Sequence, residues 1–387
     1  MKRFAMFLGA LAVLSAASSN SWALIFQFDG QTDNTFLTAA NWNEFVTNTN
    51  GVPGVGDRGI INANFAVAYN SAVTTTLGSL IVGGDWPVTG ELGTDGTLNM
   101  TAGKIIVTGG GDNFQIARAR GAVVGDANGD GLVTLTNAEL QIGGSDPVVG
   151  TRDRGVLDVG LNGKVYNTPG IETYWRLGNY GPGVDAGLEG NGLLNVHSNG
   201  TFNAHVIFIG DGDATGELRV ADTGSVVLTG NLVPRPSGFQ AAGSATVRMI
   251  GSGATLSAFN LESESLAGEI ATKYIFDADA LGVSEIMLVD AINITNSALE
   301  VNLNGLVLPL FGAVTLFDGD QSLVTNRLFG TFGSVSVDGV SNPAGYAVNY
   351  NQLLGDIQLV RVPEPSAMAL LGLGMALAIS ARRRIRS

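Results

Sequence analysis

A short pattern recurs along the middle of the chain, and it leaves few folds open. Gly96-Thr97-Leu98-Asn99-Met100 is followed by Gly131-Leu132-Val133-Thr134-Leu135 and Gly155-Val156-Leu157-Asp158-Val159. Gly192-Leu193-Leu194-Asn195-Val196 and Gly216-Glu217-Leu218-Arg219-Val220 continue it, and Ala245-Thr246-Val247-Arg248-Met249 repeats it with Ala in the leading place. Each copy alternates aliphatic and polar residues with a period of two, so one face of each strand is buried. A small residue comes next (Gly103, Ala138, Gly163, Gly200, Gly224, Gly253), then a second apolar position at Ile105, Leu140, Val165, Phe202 and Val226. The sixth copy carries Thr255 there and recovers at Leu256. Ile116-Ala117, Val149-Gly150, Leu177-Gly178 and Ile209-Gly210 close four of the copies. The unit therefore reads as strand, turn, strand, loop, short strand.

Such a unit cannot bury its apolar face alone. Stacked on its neighbours, each strand would pair with its equivalent in the next coil at about 4.8 Å. The inward aliphatics would then form one continuous core. The expectation is an all-β chain folded as a right-handed parallel β-helix. An array of hairpins packed as a sandwich is disfavoured, because the copies lack the two-residue hairpin turns it would repeat. The leading residues are separated by 35, 24, 37 and 24 residues, which sets a coil of about 24 residues. The extra length falls between 117 and 131 and between 178 and 192. Two long loops should leave one corner two coils apart, with roots about 10 Å from each other. Binding residues often sit on such loops, carried by a rigid scaffold.

The flanks read differently. Met1-Lys2-Arg3, the apolar run 4–17 and the small-x-small Ser21-Trp22-Ala23 form a secretory signal peptide over 1–23, with Leu24 as the first mature residue. Residues 24–95 carry short β-type runs between Gly, Asn and Pro turn signals, an N-terminal cap and first coils. Trp42 reads there as a core or capping aromatic. Residues 96–256 are the repeat proper. Residues 257–361 lose the Gly pattern but stay rich in β-type runs, such as Leu299-Glu300-Val301-Asn302-Leu303. They are expected to continue and cap the stack, with a small separate sandwich as the alternative.

Charge narrows the partners. The formal net charge is −14. Setting aside Lys2, Arg3, Arg382, Arg383, Arg384 and Arg386 leaves 14 basic against 34 acidic residues, about −20 over the body. Phosphate binding needs a basic footprint, so nucleic acid is excluded as a partner. Cations or neutral polymers suit the body better. The chain has no Cys, which excludes a disulfide framework and thiol chemistry.

Few residues point to chemistry. Asp126, Asn128 and Asp130, followed by Gly131, match the first half of an EF-hand-type calcium loop, with oxygen ligands at alternate positions. This part resembles dockerin repeats. The twelfth position holds Asn137 in place of a bidentate carboxylate, and 131–135 is also claimed as a strand. Calcium is the one cofactor the sequence suggests. Asp211-Gly212-Asp213 reads as a short turn. His197 and His205 read as surface residues. The chain lacks a Gly-x-Ser-x-Gly elbow and an HExxH helix, and its acids cannot be paired into a glycosidase couple. The expectation is therefore not an enzyme, with a polysaccharide lyase or glycoside hydrolase on the same scaffold as the alternative.

The tail carries the most specific signal. Val362-Pro363-Glu364-Pro365 leads into an apolar segment over 367–381 and then Arg382-Arg383-Arg384. That order over 362–387 resembles a PEP-CTERM sorting signal with its apolar sorting helix. The resemblance implies a protein exported through the inner membrane of a Gram-negative bacterium. It implies transient membrane retention, cleavage near Pro-Glu-Pro by an exosortase, a membrane protease/transpeptidase, and a place at the surface or in a biofilm matrix with exopolysaccharide. Ala39-Ala40-Asn41-Trp42 and the Gly-x-Leu-x-Val coils make residues 36–361 similar to the Gly-rich repeats of autotransporter-like β-helix passengers, here without an outer-membrane barrel behind them.

Overall fold

The structure is a computed structural model. It describes residues 24–84, 94–110, 113–118, 129–151, 153–179, 190–211, 214–234, 243–263, 272–319, 328–352 and 354–363, with Leu373 and Met375. The signal peptide and most of the tail lie outside these residues.

The repeat copies stack in register. Gly131 pairs with Gly96 on one side and Gly155 on the other, Gly155 with Gly192, Gly192 with Gly216, and Gly216 with Ala245, all in parallel. The second apolar positions form their own column, Ile105, Leu140, Val165, Phe202, Val226 and Leu256. The closing positions do the same from Ile116 through Val149 and Leu177 to Ile209. The physical reason is the period of two: a one-residue slip would turn every aliphatic of a strand out to water. The result is a parallel β-helix with three sheets, here named leading, middle and closing for the order of their strands in each coil. They hold eleven, eleven and twelve strands among the described residues.

The same sheets run past the Gly pattern in both directions. Upstream, Phe65–Tyr69, Thr74–Leu77 and Ser79–Gly84 supply one coil. Downstream, Thr272–Asp277 pairs with Ser244–Ile250, and Ser297–Asn302 pairs with Thr272–Asp277. Thr272 and Ser297 take the place of the leading Gly, and both are fully buried. The pattern fades there because Thr and Ser replace Gly while the inward residues Tyr274, Phe276, Leu299 and Val301 keep their period.

Both ends are closed by antiparallel strands. Trp42–Glu44 pairs antiparallel with Ile25–Phe28 at the start. At the far end Asp356–Arg361 pairs antiparallel with both Ala313–Gly319 and Tyr346–Asn351. Aromatic residues fill the core at intervals. Trp42 lies edge-on to Phe28 and Phe36 at 5.2 and 4.9 Å, and Trp175 to Phe202 at 4.9 Å. Tyr274 and Phe317 meet at 5.3 Å near the last coils. Trp42 thus belongs to the core of the first end.

The closing-to-leading corner corrects one expectation. It carries five long connections, 85–95, 119–130, 180–190, 235–243 and 263–271, where the sequence suggested two. The connections 85–95 and 263–271 lie outside the six copies, and 235–243 lengthens only the last step, from Gly216 to Ala245, which the four spacings do not include. Arg118 and Asn179, the roots of those two, flank Thr151 in the closing sheet, one coil to either side.

Candidate functional site

Three regions hold the residues that the sequence singles out. The first is the start of the tail. The last strand, Asp356–Arg361, is held on both edges, and the Arg361 guanidinium donates to the Leu308 carbonyl at 2.7 Å. The Val362 N–H donates to the Gly345 carbonyl at 2.9 Å. The sorting signal therefore begins where the stack ends, at Val362 and Pro363. Glu364, Pro365, Arg382, Arg383 and Arg384 lie outside the described residues. Within the apolar segment Leu373 and Met375 are helical and exposed. Among the described residues no helix is long and apolar enough to cross a membrane.

The second region is the calcium-loop candidate. Asp126 and Asn128 lie outside the described residues. Asp130 is spent partly on the scaffold: its N–H donates to the Asp95 carboxylate at 2.9 Å, and its carbonyl accepts the Gly96 N–H at 2.9 Å. No group of three or more metal-ligating side chains occurs among the described residues. Of the Asp211-Gly212-Asp213 turn, Gly212 and Asp213 lie outside the described residues, and Asp211 stands at its start. It ends the strand Val206–Asp211, is almost fully buried, and its carboxylate binds the Arg176 guanidinium.

His197 stands on the outer face of the leading sheet, its Nε2 3.2 Å from Asp158 Oδ1 and its Nδ1 3.0 Å from Ser198 Oγ. Asp158 also accepts from Asn195 at 2.6 Å. Further along the same face Arg248 meets Asp277 at 2.6 Å, and Asp277 accepts from Asn302 at 2.8 Å. The hydrogen bond to the Asp277 carboxylate raises the Arg248 guanidinium above its ordinary value. These ladders tie coils together across the sheet.

The third region was not visible as a site in the sequence. Between the middle and closing strands the arch is long in three successive coils, 108–113, 143–147 and 168–173. It then shrinks to His205 alone, to 229–230, and to Phe259 alone. Where the long arches stop, the 168–173 segment overhangs its neighbours and a groove of about 540 Å³ opens. Tyr166, Asn167, Thr168, Glu172, Asn203, His205 and Thr229 line it, over a floor at Ala204. The overhang is stitched down. Thr168 N–H donates to Ile142 O at 2.8 Å, Gln141 Nε2 to Thr168 Oγ1 at 2.8 Å, and Thr173 Oγ1 to Asn167 Oδ1 at 2.5 Å. His205 sits across from it, with Nδ1 3.0 Å from Thr229 Oγ1, Nε2 3.7 Å from Glu172 Oε2, and its ring edge-on to Tyr174 at 5.7 Å. Tyr174 OH donates to Glu172 at 3.0 Å, and that carboxylate raises the phenol above its ordinary value. A sequence signal existed. From the second apolar position to the closing one the distance is 12 residues in the Val165 coil and 7 in the Phe202 coil.

Comparison with known proteins bears on the tail. The PEP-CTERM protein-sorting motif matches residues 361–384. That match makes the chain an exported, exosortase-targeted protein addressed to the cell surface. No curated protein and no solved structure matches the chain. The likeness of the Gly-rich coils to autotransporter passengers rests on the residues alone.

Proposed function

We propose that the chain is a structural or adhesive component of the surface or extracellular matrix, associated with exopolysaccharide, and not an enzyme. It crosses the inner membrane of a Gram-negative cell and is held briefly by the apolar segment 367–381. It is then cut by an exosortase near Pro363-Glu364-Pro365. The observation that carries this reading is the sorting motif joined directly to the last strand of a closed, acidic β-helix. Removing Lys2 and Arg3 with the signal peptide and the arginines with the tail leaves a body of about −20, which is self-repelling. Calcium at Asp126, Asn128 and Asp130 would suit such a body, because carboxylates crowded on it gain from a divalent cation.

The test is intact mass. Expressed in a host with an exosortase, the surface or released species should begin at Leu24 and lack residues beyond the Pro-Glu-Pro region. In a host without the exosortase it should keep Arg382-Arg383-Arg384. A full-length tail on the surface species of the first host overturns the proposal. Sustained release of reducing or unsaturated ends from a polysaccharide panel would replace the structural reading with the polysaccharide-active one.

A further inference from the structure

We propose that the groove beneath residues 168–172 binds pyranose units of a neutral glycan chain. The inference rests on the matrix reading above and gives that reading a site. It also moves the glycan contact away from the corner with the long connections, to the opposite end of the closing strands.

The argument starts from what the groove offers. Its volume of about 540 Å³ falls within the usual range for small-ligand sites. Its walls mix small apolar surfaces with neutral hydrogen-bonding groups. Pro169, Ile171 and Ala204 provide the first, and Asn167, Thr168, Asn203 and Thr229 the second. A pyranose has the matching anatomy, with C–H faces that favour apolar contact and hydroxyl edges that both donate and accept. An apolar ligand would bury the Asn203 amide and the Asn167 NH2 without partners, a desolvation that nothing offsets. An anionic ligand would meet the Glu172 carboxylate, and among the described residues no Lys or Arg lines the groove to compensate. Chains rich in uronate or phosphate are therefore disfavoured, and neutral sugars are left.

Preorganisation points the same way. Asn203 is exposed and makes no side-chain hydrogen bond to another described residue, so its amide is available to a ligand. Asn167 is held by Thr173 through its carbonyl oxygen, which leaves its amide NH2 to donate. Thr173 is fully buried and anchors the overhang, so the wall is set before any ligand arrives. A site fixed in advance loses less conformational entropy on binding. The groove opens at the flank of the stack, so a polymer can pass through it and need not present an end.

The experiment uses the full chain purified in detergent, with calorimetric titration of neutral cello-, manno- and malto-oligosaccharides and of galacturonate oligomers. At least one neutral series should bind saturably with a dissociation constant of about 1 mM or tighter. Asn203→Ala with Thr229→Ala should weaken that binding about tenfold, the loss of two hydrogen bonds of ordinary strength. Ser225→Ala, on the same sheet but outside the groove, should leave it unchanged. Thermal melting checks that the double variant is folded, as expected for two exposed positions. The proposal is overturned by binding that ignores the double substitution, by galacturonate binding as tightly as the neutral series, or by no neutral series binding at all. A chain that binds nothing but is still processed and displayed loses this site and keeps its delivery. A chain that binds but keeps its tail does the reverse.

Discussion

At the scale of single residues, the corner between closing and leading strands is decided by backbone contact. Gly178 has φ of +69°, and a Cβ there would lie 2.1 Å from the Thr215 carbonyl oxygen of a neighbouring coil. Ala117 occupies the equivalent place in its own coil with φ of +56°, so the left-handed conformation alone does not demand Gly. The close carbonyl does. Gly178→Ala should therefore lower stability by about 2–4 kcal/mol, as strain and a steric shift combine. Urea denaturation checks it, and a midpoint within error of the parent would refute the close-contact argument. Gly192 meets Gly178 from the other side, where its Cβ would sit 2.1 Å from the Gly178 nitrogen. The leading Gly of the repeat was legible as a motif. Its cause, a backbone from the preceding coil, was not.

At the scale of elements, turns are stitched to the turns of adjacent coils. Asp279 accepts from the Ser252 N–H at 2.8 Å and the Ser252 hydroxyl at 2.9 Å, across one coil, and from Leu281 N–H at 2.7 Å in its own turn. The Ser252 backbone bond leads in holding its carboxyl down to about 2, followed by the bond from Leu281. A carboxyl depressed in the folded state adds stability above its unfolded pKa of about 4 and loses it as pH falls through the folded value. Asp279→Asn should lower Tm at pH 7. The gap should close as pH falls from about 4 towards 2. A gap that persists at low pH would assign the effect to side-chain shape instead of charge. The middle-to-closing arches show a different lesson. Their lengths were written in the sequence at 165–177 and 202–209. Only in the stack does a long arch beside short ones become a wall.

At the scale of the whole molecule, the stack is nearly one-dimensional, each coil touching its neighbours, so end closure matters. Trp42 is fully buried against Phe28 and Phe36, and its indole N–H donates to the Phe36 carbonyl at 2.5 Å. Trp42→Ala should destabilise by about 3–5 kcal/mol. Hydrogen exchange should accelerate first in strands 58–84, while 215–302 keep their protection. Uniform loss along the chain would mean that the stack unfolds as a single unit. The tail belongs to this scale too. It hangs from the last strand, and its arginines offset part of the charge of the body they leave behind.

The sequence by itself determined the coil, the register of six copies and the address. Each depends on residues close in the chain or on a period of two that punishes any slip. Tertiary structure decided the rest. It placed Thr272 and Ser297 in the Gly column, because burial between strands asks for a small residue and not for Gly alone. It built the groove from Tyr166, Glu172, Asn203 and Thr229, which belong to three successive coils and share no local pattern. They meet only because stacking sets parallel coils about 4.8 Å apart, a distance that residue spacing along the chain does not encode.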